Sequence, residues 1–96
     1  MSNPIAAVVP PGNHCTLVPD RPMNFDFRYA CWQHDINSGP GSTMSFTQAN
    51  DVFRADMHAI CRNSYGDAWL CHLMAEVYYV GVSLFGRPFY EGTGGI

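Results

Sequence analysis

A chain of 96 residues is the length of one domain, enough to bury a modest core yet short enough that covalent cross-links matter to its stability. Its net charge of −3 comes from few charges of either sign, and the five basic residues form no cluster, which argues against a nucleic-acid groove. No basic region leads into an N-terminal apolar stretch, so no secretory leader is expected within this numbering.

In chain order, residues 1–12 carry Pro4, Pro10 and Pro11 among small residues and read as an extended arm. Pro19 and Pro22 then punctuate a loop from Asn13 to about Asn24. The apolar content of Phe25 to Asn37 is compatible with a first helix, capped by Asn24 and stopped by Ser38-Gly39-Pro40-Gly41. Ser45 or Thr47 caps a second helix running to Cys61, in which Ala49, Phe53, Met57 and Ile60 recur at helical spacing as one face. Arg62 to Gly66 is the expected turn.

A third helix is expected from about Asp67 to Phe85, burying Leu70, Met74, Tyr78 and Leu84, with Gly86-Arg87-Pro88 ending it. Its apolar run approaches membrane-spanning length, but His72 and Glu76 interrupt it, so a buried helix is expected rather than a transmembrane segment.

Four cysteines in a short chain read as two disulfides formed in an oxidising compartment. Of the three possible pairings, the spacing favours Cys15 with Cys31 and Cys61 with Cys71. Each bridge would contribute on the order of 2 to 3 kcal/mol by restricting the unfolded chain. The expected fold is all-α: two long antiparallel helices joined through Cys61 and Cys71, with a shorter helix carrying His34 and Asp35 laid against them. Residues 13–91 form the domain and 92–96 a flexible tail.

His34-Asp35 places a general base beside a hard-metal ligand on one short helix, and adjacent helical residues point about 100° apart. A Cys15 to Cys31 link would bring the loop holding Asn13 and His14 to the turn before Asp35. A calcium site could form there from the Asp35 carboxylate, the Asn13 side-chain oxygen, the His14 carbonyl and waters.

Taken together, Cys15…Pro19-Asp20…Pro22…Phe25…Phe27…Ala30-Cys31…His34-Asp35, then Phe53…Asp56-Met57…Cys61, then Cys71…Tyr78-Tyr79…Phe85-Gly86, resembles the secreted fungal and bacterial phospholipases A2. The resemblance covers about residues 13 to 86. It implies an all-α, disulfide-bonded, extracellular enzyme that uses Ca2+ to hydrolyse the sn-2 ester of glycerophospholipids at a bilayer or micelle surface. Carried onto matching positions, His34 is the general base and Asp35 a calcium ligand.

Two departures fall on the chemistry. Asn13 stands where the family has a calcium-loop aspartate, and Asn50 where a family aspartate orients the histidine. On the second helix Asn50 lies roughly 60° from the centre of the apolar face and Asp51 roughly 160°. Asn50 is therefore expected to face His34, and Asp51 reaches it only if the helix shifts register. The resemblance does not extend to the family's N-terminal helices or to its aromatic continuation of the first helix.

Two other readings compete. One is a non-catalytic lipid- or protein-binding module on the same fold, with Trp69, Trp32, Phe46 and Met23 as an interfacial surface. The other is a zinc site of Cys15, Cys31, His34 and His14, which needs reduced thiols. His58, His72, Asp56 and Glu76 read as surface or packing residues without a role.

Overall fold

Three helices make up the regular structure of the computed structural model, which describes residues 15, 18, 19 and 21–92: α1 (Arg28–Asn37), α2 (Phe46–Ser64) and α3 (Trp69–Phe85). Single 3₁₀ turns at Pro22–Asn24 and Arg87–Phe89 flank them, and no strand occurs among the described residues. The expected arm at 1–12, the ligand candidates Asn13 and His14, and tail residues 93–96 lie outside the described residues.

Local chemistry sets the helix ends. The Ser45 hydroxyl accepts from the Gln48 backbone N–H while Gln48 Oε1 accepts from the Ser45 N–H, each at 3.0 Å, a reciprocal capping box that starts α2. Helix α1 starts three residues later than expected. Asn24, the expected cap, is held in the preceding 3₁₀ turn at φ 67. Asp26 serves instead: its Oδ1 accepts the Arg28 backbone N–H at 3.1 Å, and the Arg28 guanidinium forks onto the same carboxylate at 2.9 and 2.8 Å. Partial burial pushes the Asp26 carboxyl up, but the Arg28 hydrogen bonds and charge outweigh it and hold the carboxyl below its usual range.

At the other end of α1, a Cβ on Gly39 would meet the Asp35 carbonyl at 2.9 Å, so the chain can turn this tightly only with glycine there. Helix α2 runs three residues past Cys61 before Gly66 (φ 59) and Asp67 (φ 60) reverse the chain, and the Asp67 N–H returns to the Cys61 carbonyl at 3.0 Å.

Both expected disulfides are present, Cys15–Cys31 and Cys61–Cys71, and among the described residues no cysteine is free. The thiolates that a zinc site would need are therefore absent. The second bridge ties the end of α2 to the first turn of α3. Side-chain pairs His58 with His72, Arg54 with Glu76, and Asp51 with Tyr79 descend α2 as they climb α3, which makes the two helices antiparallel. Helix α1 also runs antiparallel to α2, since Asp26 donates to the Tyr65 hydroxyl near one end and His34 meets Asn50 near the other.

The core forms where α2 meets both neighbours. Ala49, Phe53, Met57 and Ile60 are all buried, as their spacing requires, and Phe27, Cys71, Ala75 and Tyr78 close on them. Leu84 departs from the expectation: it is exposed, as are Trp69, Leu73, Val77 and Val80. A helix apolar around most of its circumference does not say by pattern which face packs, and here the small Cys71 and Ala75 let the backbones approach on the other side.

One carboxylate sits poorly in this packing. Asp56 Oδ2 is buried without a hydrogen-bond partner, and the burial pushes its carboxyl up. A raised folded-state value means that the associated stability is present below the unfolded value and is lost as pH rises through the folded one. Asp56→Asn should therefore be more stable than wild type at pH 7 by about 1 kcal/mol. Thermal denaturation as a function of pH should show the gap closing as the medium is acidified below the carboxylate range.

Candidate functional site

His34 lies in the last turn of α1, three residues beyond Cys31, whose disulfide anchors that turn. Its Nε2 is 2.7 Å from Asn50 Oδ1, and its ring lies against Phe53 with centroids 4.8 Å apart. Asn50 is 2% exposed, so α2 brings a buried amide to the histidine, on the side that helical spacing implies. The Ser38 hydroxyl is 3.5 Å from the same nitrogen, too far to compete with Asn50.

An amide oxygen can only accept, so Nε2 donates in this pair, and a neutral ring then keeps its lone pair on Nδ1. Asn50 thereby selects the tautomer of the ring. Being uncharged, it offers an imidazolium only a dipole.

Asp51 is not part of this contact. It is exposed on α2 and accepts from the Tyr79 hydroxyl at 3.2 Å, so the helix register does not bring it to His34. Asp35 is exposed and lines the same cleft as His34 and Cys15. Its carboxylate is the described member of the expected calcium set, and oxygen donors suit that ion. Among the described residues no group of three or more His, Cys, Asp or Glu could hold a metal ion.

The cleft encloses about 690 Å³. Its polar edge is His34, Asp35 and Ser38 at the end of α1, and its walls are largely apolar: Phe53 from α2, then Val77, Val82 and Phe85 from α3. A further wall was not foreseen from the sequence. After α3 the chain doubles back, and the Glu91 N–H donates to the Ser38 carbonyl at 2.7 Å while the Tyr90 hydroxyl donates to the Met44 carbonyl. The Tyr90 ring meets Phe46 edge-on at 5.8 Å, and the Arg87 guanidinium lies over the Phe46 ring at 4.8 Å. The only sequence signal for this wall is the aromatic pair Phe89-Tyr90 after a helix stop.

The arrangement can position a long apolar group beside a water-accessible imidazole. A positioned base next to a hard-cation ligand suits hydrolysis of an ester by activated water.

A family model described as prokaryotic phospholipase A2 matches residues 11–86. The chain is 30% identical to a secretory phospholipase A2 of Arthroderma benhamiae, over 70% of this chain and 52% of that protein. It is 29% identical to a secretory phospholipase A2 of Beauveria bassiana, over 75% of this chain and 40% of that protein. It thus spans about half the length, or less, of these relatives. No solved structure matches it.

The cleft can be probed through Gly81, a wall residue on α3 where an added Cβ would meet nothing within 4 Å. Gly81→Ala should stabilise α3 by up to about 1 kcal/mol through helix propensity. Gly81→Phe should keep the fold but fill the cleft, and titration with an apolar fluorophore should show several-fold weaker binding than in Gly81→Ala.

Proposed function

On the premise that this chain belongs to the prokaryotic phospholipase A2 family, we propose that it hydrolyses the sn-2 ester of glycerophospholipids with Ca2+ as cofactor, at a bilayer or micelle surface outside the cell. The observation that carries this reading is the 2.7 Å contact of His34 Nε2 with Asn50 Oδ1 at the edge of an apolar cleft. We take residues 13–91 as the working unit, between the arm at 1–12 and the tail at 92–96.

His34 Nδ1 takes a proton from a water as that water attacks the ester carbonyl, and the histidine then passes the proton to the departing alcohol. Asn50 holds the ring in the required tautomer, and Phe53 fixes its tilt. The apolar walls seat an acyl chain and exclude bulk water from the reacting ester. Asp35, with Asn13 and His14, would hold the calcium ion, which when bound would polarise the carbonyl and offset the charge developing on its oxygen.

The exposed apolar residues near the cleft bear on how lipid is reached. Val77, Phe85 and Phe89 both line the cleft and face solvent, and Trp69, Leu73, Val80 and Leu84 extend that surface along α3. A patch of this extent on a small protein suits contact with a lipid surface. No helix among the described residues is long and apolar enough to cross a membrane.

The uncharged Asn50 favours a second reading, a lipid- or protein-binding module with weakened catalysis. In the serine protease triad the equivalent exchange of aspartate for asparagine lowers kcat about 10⁴-fold. One experiment separates the two readings: fatty-acid release from mixed phospholipid vesicles, with millimolar calcium or with a chelator. The enzyme reading expects calcium-dependent release, reduced at least about 10²-fold in His34→Ala and raised about tenfold or more in Asn50→Asp. If the oxidised, folded wild type releases nothing and Asn50→Asp does not restore turnover, the binding-module reading takes its place.

A further inference from the structure

Away from the cleft, the face shared by α2 and α3 carries a continuous chain of polar side chains. His58 Nε2 lies 2.7 Å from Glu76 Oε2, and His72 Nε2 lies 3.0 Å from Asp67 Oδ1. Between them the rings meet nitrogen to nitrogen, Nδ1 to Nδ1, at 2.6 Å. Their centroids are 4.9 Å apart and their planes differ by 18°. The centroid separation exceeds the nitrogen separation by about two ring radii, so the rings meet edge to edge in nearly one plane. Arg54 donates to Glu76 at the far end. None of these residues lines the cleft.

Counting protons shows what this geometry requires. An ionised carboxylate only accepts hydrogen bonds, so each histidine must donate through Nε2. Two neutral rings protonated in that way would aim two lone pairs at each other across 2.6 Å, which is repulsive. A cation between them, either a single shared proton or a metal ion, would relieve that repulsion.

We propose that His58 and His72 form a binding site for a borderline divalent transition metal, with Zn2+ as its probe, which binds by displacing the shared proton. Imidazole nitrogen is a good zinc ligand, and zinc–nitrogen bonds of 2.0 to 2.1 Å at a tetrahedral ion put the two nitrogens about 3.3 Å apart. From this head-on approach the pair must open by less than 1 Å beyond its present 2.6 Å, and each ring must swing by roughly 35° so that both lone pairs aim at one tetrahedral ion. Both side chains are partly exposed, at 22% and 29%, which leaves room for that movement and for waters to complete the coordination.

The surroundings are those of a metal-ligating histidine. Each ring presents its other nitrogen to a carboxylate, which fixes the tautomer and the orientation of the ligating atom. His58 lies three residues before Cys61 and His72 directly after Cys71, so the disulfide holds both backbones in place. Asp67 reaches His72 from the left-handed turn after Gly66, a conformation that aspartate tolerates better than most residues. Two protein ligands are fewer than a closed structural site has, so the ion bound here exchanges with solvent. Calcium prefers oxygen donors and does not compete.

The test is calorimetric titration of the oxidised full chain with Zn2+ in two buffers of different ionisation enthalpy, independent of any hydrolase activity. The expected result is one ion per chain with release of about one proton, unchanged in His34→Ala, in His14→Ala and in millimolar calcium. Binding should be lost in His58→Ala and His72→Ala and weakened about tenfold or more in Asp67→Asn, with helical circular dichroism retained. The proposal is overturned by the absence of binding at millimolar Zn2+, by binding that survives both histidine substitutions, by binding lost in His34→Ala or His14→Ala, or by binding that releases no proton.

Discussion

The fold depends on one buried stripe. Ala49, Phe53, Met57 and Ile60 recur along α2, and because the stripe meets α1 and α3 together, a single helix organises the whole core. Each large side chain buried there is worth about 1.5 to 3 kcal/mol. In a chain of 96 residues that sum is opposed by a comparable loss of conformational freedom. The two disulfides tilt the balance by restricting the unfolded chain, and they do so where position matters most, at the turn before His34 and at the junction of α2 with α3.

The same stripe positions the chemistry. Asn50 follows Ala49 and Phe53 packs on the imidazole, so the residues that touch His34 are continuous with the core. A histidine oriented by a 2% exposed amide is held more firmly than one oriented from a loop. Rigid placement and weak electrostatic support therefore meet in one contact: the ring is held in a fixed orientation, while its partner lacks the charge that would favour a protonated form.

Helix α3 divides its circumference among four tasks. Cys71, Ala75 and Tyr78 pack inward, and Val82 and Gly81 line the cleft. Trp69, Leu73, Val80 and Leu84 are left facing solvent. On the side toward α2 its Glu76 and His72 join His58 of α2 and Asp67 of the intervening turn in one chain, so polar contacts border the disulfide while apolar surface borders the cleft. Tyr78 links this helix back to the start of the domain, its hydroxyl donating to the Pro19 carbonyl at 2.6 Å.

The sequence by itself determined whatever depends on near neighbours along the chain. The start of α2 near Ser45 or Thr47, the stop at Ser38-Gly39-Pro40, the buried face of α2 and the two short-range disulfide pairings all follow from spacings of a few to sixteen residues, and the structure settles the cap on Ser45. The approach of Asn50 rather than Asp51 to His34 was legible for the same reason, because helical periodicity fixes which residue shares the core face. Tertiary structure decided what depends on which surfaces meet. It placed Asp26 rather than Asn24 at the start of α1, turned Leu84 outward on a helix whose pattern named no face, and folded Phe89 to Glu91 back as a cleft wall. It also joined His58 to His72, residues with no separate signal, because only the antiparallel packing of α2 on α3 sets their nitrogens opposite one another.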